Sequence, residues 1–320
     1  MYKLLIYIPT YNRLEKLKVC LNSVINAISG YENEVAIHVS DNNSSDGTSQ
    51  FLQSLNISDK VNLKFDRNST NIGLVKNVVK VFDFDTSNYE FTWIIGDDDY
   101  LLKNSIGRLI DAIKSFPTID FYFLNSIAYN ENQVNETLDY LNSNGWEKPH
   151  PLGNIKSKFT NSFACDLQSL LKPEIDEVLG GSLMCYAFRS RMVTNKLDLS
   201  KDNSPPFIFY YPHTLNFIYS LTPETQCIHL SDIFTFNFWH KGVEWGFNAY
   251  DKIVCEALGH LIFEQYQLNF ITEDQFPKIF QHYLNIATPS LKKLIQIGEF
   301  ENMDRNYLIK FLQKMIIYKI

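Results

Sequence analysis

Four short apolar runs in the first hundred residues each end in a polar cluster, and a helix-like stretch follows each of them. Lys3 to Ile8 runs into Pro9-Thr10-Tyr11-Asn12-Arg13, and Val35 to Val39 into Asp41-Asn42-Asn43. Val61 to Phe65 precedes the segment Arg67 to Gly73, and Phe91 to Ile95 ends in Asp97-Asp98-Asp99. Between them, Arg13 to Ile28 places Leu14, Leu17, Leu21, Val24, Ile25 and Ile28 at helical spacing. Further helices are expected from Ser45, over Leu74 to Phe82 and over Ile106 to Ile113, with a fifth strand at Phe121 to Leu124. Alternation of this kind predicts an α/β fold: a Rossmann-like, mainly parallel sheet with helices on both faces. Such sheets bind ligands outside the carboxyl ends of their strands, so the four polar clusters are expected to share one crevice.

The remainder is less regular. Asn130 to Pro151 reads as a long surface excursion, Ile155 to Leu171 as weakly helical, and Leu183 to Phe188 as a strand or pocket wall. Cys227 to Leu230 and Ile233 to Phe238 are expected as two strands meeting at Ser231-Asp232. From about Phe247 the pattern is helical. This divides the chain into a main domain, 1–245, with halves at 1–125 and 126–245, and a C-terminal helical extension, 246–320.

The acidic trio carries the sharpest chemistry. Three adjacent carboxylates at a buried strand end cost several kcal/mol each unless water or positive charge meets them. A hard divalent cation with oxygen ligands would do so, and a solvated turn that caps the next helix is the competing explanation. Asp41 suits hydrogen bonds from a base or ribose, or capping of the helix that follows. Thr10 to Arg13 offer N–H groups to phosphate or a cap to the first helix, and Arg13 and Lys76 are phosphate partners or solvated helix cations. His213, among aromatics in Tyr211-Pro212-His213-Thr214, has the intrinsic pKa of a general base but equally suits a hydrogen-bonded core position. Asp202 is a carboxylate competitor for that role. His240 could complete a metal shell.

Composition narrows the function classes. A net charge of −7 argues against nucleic-acid capture. Five widely spaced cysteines without a Cys-x-x-Cys pair read as reduced structural thiols of a cytoplasmic protein. No signal peptide and no span of roughly 20 apolar residues is visible. The lysines of the apolar segment Tyr307 to Ile320 permit peripheral contact with the inner membrane, against the simpler alternative of packing on the main domain.

Ile8-Pro9-Thr10-Tyr11-Asn12-Arg13 resembles the opening motif of family 2 glycosyltransferases of the GT-A fold, and Val39 to Thr48 resembles their second motif. Asn71-Ile72-Gly73 is similar to their third, and Trp93 to Asp99 to their metal-binding Asp-x-Asp region. The last form is similar to bacterial O-antigen and capsule transferases, including those grouped with abequosyltransferases. The resemblance implies a nucleotide-diphosphate sugar donor, most simply a uridine-linked one, a magnesium or manganese ion, and a saccharide or undecaprenyl lipid-linked acceptor. It implies that Pro9, Thr10, Tyr11, Asn12, Arg13, Asn43, Asn71, Gly73 and Lys76 line the nucleotide site and that Asp41 contacts the base. Asp97 and Asp98 are then expected at the ribose and metal, with Asp99 the preferred metal ligand and Asp97 next. Two departures stand out. Val75-Lys76-Asn77 replaces a common Ala-Arg-Asn run, and the region where inverting members carry an acidic base holds Tyr211-Pro212-His213. The expected enzyme is an inverting glycosyltransferase of surface polysaccharide assembly. A non-catalytic sugar-nucleotide-binding or scaffold subunit is the alternative.

Overall fold

The computed structural model describes residues 1–56, 58–175, 183–192, 214, 218–239, 251 and 253–297, with isolated positions 309, 313, 316 and 317. Its first half follows the predicted alternation. Strand β1 (Tyr2–Thr10) leads to helix α1 (Leu14–Ala27), β2 (Val35–Asp41) to α2 (Thr48–Ser54), and β3 (Asn62–Arg67) to α3 (Leu74–Val79). Then come β4 (Tyr89–Ile94), a short β5 (Asp99–Leu101), α4 (Ser105–Ser115) and β6 (Phe121–Asn130).

β1 lies between β2 and β4, parallel to both, and Leu4 to Ile8 are at most 1% exposed. A strand covered on both faces needs a continuous apolar run rather than alternation, which is what Leu4-Leu5-Ile6-Tyr7-Ile8 supplies. α1 packs Leu17, Cys20, Leu21 and Val24 inward at spacings of three and four. The outer strand β3 is half exposed, as an edge must be.

The second half completes one sheet in the order β3-β2-β1-β4-β9-β6-β10-β5. Here β9 is Tyr186–Arg189 and β10 is Gln226–Trp239, while β7 (Asn154–Ile155) pairs with β6 and β8 (Phe163–Asp166) with β10. Measured by paired residues the sheet is mostly parallel, with antiparallel partners at β5, β7, β8 and β9.

Three expectations are corrected. The stretch after Asn130 contains α5 (Val134–Ser143), which buries Thr137 and Leu141, so it is not simply a surface excursion. Residues 155–171 are mainly strand and irregular backbone, closing in the four-residue helix α6 (Leu167–Leu170), because β8 finds a partner in β10. The two expected strands around Ser231-Asp232 are one strand, β10, whose register on β6 shifts between Leu230 and Ile233 and again before Thr235. The pair Ser231-Asp232 is absorbed as an irregularity rather than a turn.

The helical C-terminal pattern is realised in α7 (Leu258–Gln267) and α8 (Phe276–Gln296). An apolar cavity lined by Leu171, Ile175, Leu258, Leu261, Ile279 and Ile286 lies against these helices and contains none of the strand-end residues. All five cysteines are free thiols. Among the described residues no helix is long and apolar enough to cross a membrane.

Candidate active site

The carboxyl ends of β1, β2, β3 and β4 lie side by side. Thr10 pairs in register with Asp41, and Asp41 with Arg67. From the other side Thr10 Oγ1 donates to Asp97 Oδ2 at 2.7 Å, which draws the acidic loop after β4 against the end of β1. All four polar clusters thus meet through contacts at Thr10 and Asp41.

The loops after β1 and β2 interlock through asparagine and aspartate side chains. Asn12 (φ 52°) and Asn43 (φ 65°) occupy the left-handed region, which asparagine tolerates better than most residues. Asn12 Oδ1 accepts the Ser45 N–H at 2.7 Å, and the Asn12 N–H donates to Ser44 Oγ at 2.9 Å. Asp46 Oδ2 accepts the Leu14 N–H at 2.8 Å, capping α1 from the neighbouring loop, while its Oδ1 accepts the Thr48 N–H at 3.1 Å to start α2. The capping work considered for Thr10 to Arg13 and for Asp41 therefore falls to Asp46.

Asp41 is fully buried. Its Oδ1 accepts the Ser44 N–H at 2.9 Å, but its Oδ2 is buried without a hydrogen-bond partner. The nearest cation is Arg67, whose guanidinium stands 3.7 Å from that oxygen and donates to Asn43 Oδ1 at 2.9 and 3.2 Å. A buried acceptor without a donor costs free energy that a ligand N–H or O–H would recover. Tyr11, next to Thr10 in the chain, is exposed.

The three acidic side chains have different fates. Asp97 is buried and accepts from Thr10 and from Arg13, at 3.0 Å. Burial first, and then the charge of Asp98, pushes its carboxyl up to about 6 against the pull of Arg13. Asp99 is also buried, and its Oδ2 accepts the Gly96 N–H of its own turn at 2.6 Å while Asn237 Nδ2 approaches Oδ1 at 3.4 Å. Burial, followed by repulsion from Asp98, raises its pKa well above the carboxylate range. Asp98 is the partly open one: its side chain is 24% exposed, 3.1 Å from Arg13 and 3.9 Å from Lys16. Asp99, the metal ligand preferred from sequence, is thus hydrogen-bonded within its own loop. Gly96 accounts for the tightness of that loop, because a Cβ there would come within 3.0 Å of both Asp98 Oδ1 and Asp99 Oδ2.

Of the remaining candidates, Pro9 is the buried partner of Ser40, and Asn71 and Gly73 lie on the exposed loop before α3. Lys76 is exposed on α3. His213, Asp202 and His240 fall outside the described residues. Residues not singled out from sequence also belong to the site: Arg67 beside Asp41, Asn42 beneath the third loop, and Asn237 behind Asp99. Arg67 lay in a recognised polar cluster, but Asn237 is 138 positions from its partner and carried no local signal.

The donor chemistry of this centre fits a hard divalent cation. It offers oxygen ligands only: Asp97 and Asp98 share Arg13, and Lys16 stands farther from Asp98. Among the described residues no three His, Cys, Asp or Glu side chains converge so as to hold a metal ion by themselves.

Comparison with known proteins agrees with this architecture. A sequence profile of "Glycosyl transferase family 2" matches residues 5–180. Abequosyltransferase RfbV of Salmonella typhimurium is 35% identical over 102 residues, an alignment spanning 32% of this chain and only 30% of that protein. Residues 1–349 of S. aureus TarS, solved in complex with UDP-GlcNAc, superpose with a TM-score of 0.60 at 16% identity, covering 99% of this chain and 80% of that one. The mannosyltransferase PcManGT from Pyrobaculum calidifontis, in complex with GDP-Man and Mn2+, gives a TM-score of 0.51 at 12% identity over 99% of this chain and 85% of that one. The fold is the GT-A fold, and with more than half of its length matched by the profile, the chain belongs to glycosyl transferase family 2.

Proposed function

We propose that this protein is a metal-dependent glycosyltransferase that moves a sugar from a nucleotide-diphosphate donor to a saccharide or lipid-linked saccharide acceptor in bacterial surface polysaccharide assembly. The observation that carries the reading is the buried Asp41 Oδ2, which has no hydrogen-bond partner, on the register partner of Thr10, which itself holds the acidic loop. This supports a reading in which a base-binding acceptor and a cation-binding carboxylate flank Thr10, as a nucleotide diphosphate requires. The abequosyltransferase similarity supports the polysaccharide setting, and the UDP-GlcNAc complex of TarS supports a uridine-linked donor.

In this reading Asp41 accepts a base N–H, with Arg67 as the adjacent donor. Arg13 and Lys16 attract phosphate oxygens. Asp98 takes the outward metal position in place of Asp99, with Asp97 behind it; His240 remains a proposed further ligand. Bound there, magnesium or manganese would supply Lewis-acid stabilisation of the departing diphosphate. Asp99 keeps the turn rigid. Acceptor activation, by His213 or else Asp202, would give a single in-line displacement with inversion. The catalytic unit is 1–245, split into donor and acceptor halves at about residue 125. The extension 246–320 would meet the cytoplasmic face of the inner membrane peripherally.

Release of UDP from a panel of UDP-sugars, with manganese and then with chelator, tests the reading. Turnover is expected only with metal and is expected to fall at least about 100-fold in Asp98→Asn. Undiminished turnover under chelation would remove the metal role, and failure of wild type to bind any sugar nucleotide would remove the whole assignment.

A further inference from the structure

The segment 68–73 between β3 and α3 has no regular secondary structure, and Ser69, Thr70, Asn71 and Gly73 are exposed. A loop with so little packing of its own would sample many conformations. Here it is fastened to the end of β2 by one buried amide. Asn42 is 2% exposed. Its Nδ2 donates to Asn71 Oδ1 at 2.8 Å, and its Oδ1 accepts the Ile72 N–H at 2.9 Å and Asn68 Nδ2 at 3.0 Å. The backbone N–H of the same residue donates to Thr10 O at 2.9 Å, so the fastening is referenced to β1 as well. Asn77, at the first turns of α3, repeats the device: its Nδ2 donates to Ser40 O at 3.1 Å and its Oδ1 accepts from Asn68 Nδ2 at 2.9 Å. Asn71 Oδ1 also accepts the Gly73 N–H at 2.9 Å, which sets the turn into α3.

These bonds run between groups that alternate donor and acceptor, so no other side chain of that size can replace the amide. Aspartate keeps the acceptor for Ile72 but turns the donor arm into a second acceptor facing Asn71 Oδ1. Alanine removes both. Asn42 adjoins Asp41, so the loop it holds stands at the side of the crevice assigned to the base and ribose.

We propose that Asn42 is a positioning residue for the donor nucleotide, acting through Asn71 and Ile72 to hold segment 68–73 in a binding-ready arrangement before the donor arrives. The inference rests on the nucleotide reading of the crevice given above. A preordered wall removes an ordering cost that the donor would otherwise meet, so its loss appears in binding rather than in the chemical step.

The test measures donor KM and kcat together with titration of UDP and manganese. Asn42→Ala and Asn42→Asp are expected to raise donor KM and the UDP dissociation constant about 10- to 100-fold, the equivalent of ~1–3 kcal/mol, with kcat changed less than about threefold. Asn71→Ala removes the latch from its exposed side, where folding is not at risk, and is expected to show the same split. The double variant Asn42→Ala/Asn71→Ala should be no worse than the poorer single variant. Wild-type binding of UDP with unchanged KM in either single variant, a loss confined to kcat, or additive effects in the double variant would each overturn the inference. Failure of wild type to bind UDP would instead strike the nucleotide reading itself.

Discussion

The Thr10 hydroxyl donates to Asp97 Oδ2 at 2.7 Å, joining the tip of β1 to the acidic loop that follows β4. Arg13, one turn further on, donates to both Asp97 and Asp98. The opening motif therefore orients the acidic motif, and the two act as one unit.

Asp98 and Asp99 should separate when each is replaced. Asp99→Ala leaves the Gly96 N–H without its acceptor in a buried turn, a loss of about 1–3 kcal/mol. Its melting temperature is expected to drop, whereas Asp98→Asn should melt like wild type and lose metal-dependent turnover. Calorimetry alongside the UDP-release assay distinguishes them; equal melting temperatures for the two variants would contradict the division of roles.

Gly96→Ala places a methyl group 3.0 Å from two carboxylate oxygens. Those side chains must move, so turnover and manganese affinity are expected to fall at least about tenfold while the sheet stays folded. Wild-type manganese dependence in this variant would show that the turn tolerates rearrangement.

The pH dependence of stability carries two opposed contributions. Asp97 has a folded pKa of about 6, above its ordinary value of 3.8, so the folded state binds the extra proton between them. Its stabilising contribution is complete below about pH 4 and is lost as pH rises through about 6. His229, fully buried between Phe123 and Phe163, is lowered by burial from 6.5 to about 4. It contributes above about pH 6.5 and that contribution is lost as pH falls toward 4. Asp97→Asn should therefore gain stability relative to wild type as pH rises from about 4 to 6, and His229→Phe as pH falls through the same window. Denaturant titrations at several pH values would reveal parallel curves if neither group titrates as described.

Asp46→Ala removes the caps of α1 and α2 together. About 1–2 kcal/mol of unfolding free energy should be lost, and Asp46→Asn should recover only part of it, because its amide nitrogen cannot accept the second N–H. Urea unfolding measures this, and a midpoint unchanged by the alanine would mean that water replaces the carboxylate at both helix starts.

Much of the N-terminal half was legible because its signals are local. Pro9 after an apolar run, the 3.6-residue spacing from Leu14 to Ile28 and the acids after Ile95 are read from neighbours in the chain. The helix Val134–Ser143 also had such a signal in Val134, Leu138 and Leu141, together with the Asn130 and Gln133 capping box just before it, but its Asn and Glu content reads as loop. Strand Asp99–Leu101 had none. Three residues beginning with an acid become a strand only because Thr235 to Asn237 lie alongside.

The linear order of residues settled which side chains gather at the strand ends, since a parallel sheet places every such end on one edge and the motifs follow those ends directly. Tertiary structure decided their individual duties: that Asp46 rather than Asp41 caps the helices, that Asp99 turns inward while Asp98 faces out, and that Asn42 holds the third loop. Those assignments depend on hydrogen bonds between groups some 30 to 140 positions apart or on which side of a three-residue turn is buried. Spacing along the chain encodes neither distance nor burial at that range, and only the folded sheet supplies both.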